Sequence, residues 1–237
     1  MNVLSPLEVA VLVPTALVVV AVGAVLWRER TSIEDARVAV ASGLVLAVWA
    51  TVTTVLARRG FFQPSAGATV PPVGANLIVV LLVLTLCLSV SSSLRRLLRN
   101  QANLVRLHLW RLEGLVFLIL MVQGRVPALW ALPAGLGDVL VAATAPWVAR
   151  GFDRPGGRRR AIAWTLFGMA DLVVAVALGV MTNPGPTQVF HPVPNAEMLT
   201  QYPLALVPAF LVPLAFTLHV VSLLQLSRGT WAERESI

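Results

Sequence analysis

Two stretches of this chain, GLGDVLVA (Gly135–Ala142) and GMADLVVA (Gly168–Ala175), share one pattern: a glycine, two residues, an aspartate, then an aliphatic run. Each lies in the middle of a long apolar segment, where an Asp costs roughly 2.5–3.5 kcal/mol to insert if the segment is a membrane helix. Carboxyls at that depth can do three kinds of chemistry. They can exchange a proton or take the charge of a cationic ligand; they can share one proton and activate a water; or, with an imidazole, they can hold a Zn or Fe ion. His219 supplies the imidazole, so Asp138, Asp171 and His219 are candidate metal ligands as well as candidate ligand- or proton-binding groups. Glu113 is a fourth candidate for ligand or proton binding.

The neighbours of the two aspartates are small. Helical spacing lines Ala134, Gly135, Ala142 and Ala145 up with Asp138, and Gly168, Ala175 and Gly179 up with Asp171. Such stripes let backbones approach closely or leave room for a bound molecule. Pro203, Pro208 and Pro213 recur at five-residue spacing ahead of His219. Each interior proline frees a backbone carbonyl, and broken helices at membrane depth line cavities. His108, beside Trp110 and Arg111, reads as an interfacial anchor, and the lone Cys87 as a small buried apolar residue.

GLGD at Gly135–Asp138 resembles the aspartate motif of the intramembrane aspartyl proteases of the presenilin and prepilin-peptidase type, and PAL at Pro127–Leu129 resembles a second presenilin motif. The resemblance implies two aspartates on neighbouring helices acting as a hydrolytic dyad. In this chain the second aspartate follows the GLGD helix and is preceded by Ala170 rather than Tyr, and PAL precedes both.

The elements that must position these groups are membrane spans. Of 237 residues 57% are hydrophobic and 12% charged, with mean hydropathy +0.82, which marks an all-α polytopic membrane protein. Seven stretches are long enough to cross a bilayer: Val3–Leu26, Ala36–Leu56, Gly74–Leu94, Leu107–Gln123, Pro127–Ala149, Ala161–Met181 and Pro203–Leu226. Arg111 and Glu113 interrupt the fourth. The connections and tail on one side carry fourteen Arg and those on the other only Arg58, Arg59 and Arg125, which predicts the N-terminus outside and the C-terminus inside the cell's inner (plasma) membrane. The first span, with Glu8 early and no basic leader, reads as a retained anchor rather than a cleaved signal peptide.

Residues 1–237 therefore read as one seven-helix domain. An apolar three-helix half covers 1–94, and a four-helix half covers 107–226 and carries Glu113, Asp138, Asp171 and His219. The loop 182–201 is external and proline-rich, with His191 and Glu197 as a candidate loop site. RGFFQP (Arg59–Pro64) and RGFDRP (Arg150–Pro155) match as an inverted repeat would require.

Every basic residue counted among the 18 is Arg, so lysine-linked retinal or pyridoxal phosphate is excluded. Arg set between apolar segments excludes nucleic acid as a partner. The expected partners are the lipid bilayer and a small molecule or ion, with a homo-oligomer or a larger membrane complex left open. The expected function is binding or transport of that small molecule or ion in an intramembrane polar cavity, coupled to protonation of Asp138 and Asp171. The alternatives are an intramembrane hydrolase, using the carboxylate pair or a metal at Asp138, Asp171 and His219, and a structural subunit.

Overall fold

A computed structural model describes residues 4–63 and 72–227, and in these the chain is a helical membrane bundle without strands. Helix α1 (Pro6–Arg28) opens with a capping box: Ser5 Oγ accepts from the Glu8 amide, and Glu8 accepts from the Ser5 amide at 2.8 Å. Ser32 caps α2 (Ile33–Arg58) in the same way through the Asp35 amide. These are followed by α3 (Pro72–Val90), two short helices α4 (Ser92–Leu97) and α5 (Gln101–Arg106), a 3-10 segment (Leu107–Glu113) and α6 (Gly114–Val122). Helices α7 (Ala128–Arg150), α8 (Gly157–Thr182) and α9 (Val212–Ser227) complete the bundle, α9 being led in by a π-helical turn at Val207–Leu211.

Among the described residues six helices are long and apolar enough to cross a membrane: α1, α2, α3, α7, α8 and Val207–Ser227. The predicted fourth span is the exception. It winds as a seven-residue 3-10 stretch, running straight out of α5 and into the nine-residue α6. The predicted seventh span also starts later than Pro203. Residues 202–205 form turns, and Pro208, which cannot donate to the ladder, sits in the π turn.

Burial shows what is centre and what is rim. In Val207–Ser227, 72% of the apolar window is buried inside the protein, whereas α3 buries only Val73. Helix α9 is thus the axis; α7 and α8 pack on each other, α8 on α9, and the 3-10 segment on α7 and α1. The main apolar core joins Val11, Val18 and Val22 of α1 to Phe117, Trp130, Phe210 and Leu218. Helix α3 stands outermost, touching α9, the π turn and α4. Cys87 is exposed on it, contrary to the buried position expected from its apolar surroundings.

The two RGF motifs do not fold alike. Gly60 turns at φ 72° just after α2, while Gly151 caps α7 at φ −91°. Pro64 of the first motif, Val3 of the first predicted span, and Arg228 and Arg234 of the tail lie outside the described residues.

Candidate functional site

The site is built on the 3-10 segment. Its tight winding brings Arg111 to face α7, α8 and α9, where its side chain is completely buried. Each guanidinium nitrogen has its own partner. Nε donates to Asp138 Oδ1 on α7 at 2.5 Å, Nη2 to Asp171 Oδ2 on α8, and Nη1 to His219 Nε2 on α9 at 3.2 Å. Three helices are therefore pinned to one planar fork, an arrangement that suits arginine and no other side chain.

Glycines make the approach possible. A methyl group on Gly137 would collide with the Asp171 carboxyl, and one on Gly168 with the His219 ring, 2.5 Å from Cε1. At the crossing of α6 and α7, a Cβ on Gly114 would lie 2.6 Å from Asp138 Cβ and 2.7 Å from the Gly135 carbonyl oxygen. The small-residue stripes are thus occupied by the polar side chains themselves and by a tight backbone crossing.

A histidine pair lies behind the arginine. His108 and His219 stack with ring centroids 4.0 Å apart and planes inclined by 32°. Trp164 meets both at 5.2 Å and anchors its own Nε1 on Thr144 Oγ1 at 3.0 Å. Because guanidinium only donates, His219 Nε2 must accept, which puts the hydrogen of the neutral ring on Nδ1. His108 Nδ1 lies 3.0 Å from the Leu104 carbonyl and so carries its hydrogen there, leaving Nε2 as an acceptor. Neither His219 Nδ1 nor His108 Nε2 has a partner among the described residues. The same holds for both oxygens of Glu113, which is 5% exposed, and for the hydroxyls of Thr165 and Thr217. Buried polar atoms in such numbers call for water or ligand.

A cavity of about 100 Å³ runs from this cluster toward the segment Asn183–Thr187, between α7, α8 and the π turn. Trp130, Leu172, Val176 and Val207 line it, and Asp138 is the single charged residue in its wall among the described residues. Asp171 and His219 do not reach it, so the expected polar cavity is an apolar one that ends on a carboxyl. The loop 182–201 closes over the mouth. Ala196 donates to the Thr182 carbonyl, Leu199 is buried, and Asn183 and Thr187 join the lining. His191 and Glu197 are exposed on this loop and take no part in the cluster.

Sequence reasoning thus named Asp138, Asp171 and His219, which the structure brings to one guanidinium, and Glu113, which it buries two residues along from Arg111. It missed the centre. Arg111 was read as an interruption and His108 as an interfacial anchor, yet both are buried in the cluster. The signal was present: an arginine inside an apolar segment obeys the same rule that singled out the aspartates. Among the described residues no three His, Cys, Asp or Glu side chains are grouped to hold a metal ion, because Arg111 occupies the space between Asp138, Asp171 and His219. One guanidinium also engages both carboxyls, which an aspartyl dyad would instead present to one water, so the arrangement does not favour the hydrolase that the GLGD resemblance implies.

A family model described as a domain of unknown function, DUF8737, matches residues 70–227, well over half of the chain, and the chain belongs to that family. The match takes in α3 to α9 and hence every residue of the cluster. No curated protein and no solved structure matches the chain.

Proposed function

We propose that this member of the DUF8737 family binds or moves a small cation or small basic molecule in the apolar cavity, coupled to protonation of Asp138 and Asp171. The observation that carries the reading is Asp138 itself. Among the described residues it is the one charged group in the cavity wall, and it also belongs to a cluster in which one arginine faces two aspartates. A formal negative charge is left over, and ionised Glu113 would add a second. In a dry interior that excess has to be met by a proton or a bound cation. The cavity has room for several waters or for an organic cation of a few heavy atoms.

The topology that serves this reading has seven spans, N-terminus outside and C-terminus inside the plasma membrane. Three consecutive pieces, α5, the 3-10 segment and α6, supply the fourth. At 1.5 Å per α-helical and 2.0 Å per 3-10 residue they reach roughly 36 Å, enough for a hydrocarbon core about 30 Å thick. The cavity mouth at Asn183–Thr187 then faces outward.

Calorimetric titration of the purified full chain with ammonium and with ethylammonium tests the reading. Saturable binding that weakens as the pH is lowered is expected, because protons compete for the same carboxylate. In Asp138→Asn it should weaken by about tenfold or more, the cost of losing one charge-assisted contact. Equal affinity in Asp138→Asn, or binding indifferent to pH, would overturn it.

A further inference from the structure

A second site lies between α3 and α9. Helix α3 buries only Val73 among its residues and leaves a groove of about 750 Å³ between its second half and α9. The walls are apolar, with Leu84 and Leu88 on α3 facing Leu224 on α9. At one end the groove meets α4 and the turn after it, which contribute Arg95, Arg96 and Arg99 to the lining.

The three arginines are not equivalent. Arg96 is neutralised by Asp35 of α2 at 2.7 Å and also donates to Ser93 Oγ. Arg95 folds back on the end of α3, where its Nη1 donates to the Leu88 and Ser89 carbonyls and holds its cation at the rim. Neither Arg95 nor Arg99 forms an ion pair with any described residue, and both are exposed. Two uncompensated cations thus sit where an apolar groove meets the helix end.

We propose that this groove holds an anionic phospholipid, with its phosphate on Arg95 and Arg99 and an acyl chain between α3 and α9. The occupant is a lipid rather than a free phosphate because charge and apolar wall are continuous in one groove. Basic pockets between membrane helices recognise lipid headgroups by this combination. The site shares no lining residue with the Asp138 cavity, so it stands whether or not a cation binds there.

The test is native mass spectrometry of the delipidated full chain titrated with phosphatidylglycerol, with phosphatidylcholine of the same chains, and with water-soluble glycerol phosphate. Phosphatidylglycerol should bind saturably and at least about tenfold more tightly than phosphatidylcholine, with each arginine worth about fivefold. Arg95→Gln/Arg99→Gln should abolish the preference, and Arg99→Gln alone, a side chain with no hydrogen bond to a described residue, should lower it by about fivefold. Leu84→Trp, which fills the groove, should lower binding of the lipid with its headgroup preference intact. Equal binding of the two lipids, variants that bind like the parent, or glycerol phosphate as tight as the lipid would overturn the proposal.

Discussion

Arg111 carries more of the structure than any other side chain. Its three nitrogens meet groups from three different helices, and its side chain is wholly out of solvent. Removing one partner of a buried ion pair costs about 3–5 kcal/mol, since the other charge is left uncompensated. Arg111→Gln should therefore lower the unfolding free energy in detergent by about that amount. Combining it with Asp138→Asn should cost less than the sum of the two, because the second change removes a charge that the first stranded. Additive costs in that cycle would mean that the contact between Arg111 and Asp138 is not energetically real. Asp138 and Asp171 were legible in the sequence because each is a lone acid in an unbroken apolar run. Arg111 was not, because three positions of mixed polarity in a row, Trp110 to Leu112, followed by Glu113, weaken the run that would have framed it.

At the scale of elements, the decisive piece is the 3-10 segment. Runs longer than three or four residues are uncommon, since the hydrogen bonds are poorer than in an α-helix. Seven residues persist here because Arg111 is tied to α7, α8 and α9, and because Gly114 allows α6 to cross α7 at backbone contact. The winding is thus set by partners far away in the chain, which is why local periodicity could not give it. The other helices follow from long aliphatic runs and serine caps, and their bounds were readable to within a few residues. Gly168 tests how closely α8 must approach α9. Gly168→Ala would drive its methyl group into the His219 ring, and overpacking of this kind costs about 1–3 kcal/mol. A lowered melting temperature is expected, together with weaker ammonium binding through displacement of Arg111. A variant as stable as the parent would show that the ring has room to move.

At the scale of the whole molecule, the arrangement divides into a rim and an axis. Helix α3 lies at the rim with nothing but Val73 buried, and Val207–Ser227 forms the axis. The family match begins close to α3 and leaves α1 and α2 outside, so the site helices belong together as one unit. The number of spans decides on which side that unit opens. In a Cys87→Ser background, Arg125→Cys should react with an impermeant maleimide added outside intact cells. Arg99→Cys should react only after the membrane is permeabilised, since both positions are exposed and flank the fourth span. Labelling of both from one side would reduce the count to six spans and place the two termini together. Apolar stretches in the sequence number seven and arginine asymmetry supports that count, whereas six helices among the described residues are long and apolar enough to cross, the fourth stretch being divided between a 3-10 segment and the short α6.

The fully buried guanidinium at the end of the Asp138 cavity has a mechanical consequence. A side chain fastened at three nitrogens to three separate helices cannot swing aside one bond at a time without stranding a charge in oil. On the proposed reading, a ligand entering from the mouth meets Asp138 with this bolt behind it, and drawing the bolt requires α7, α8 and α9 to part in a single concerted motion.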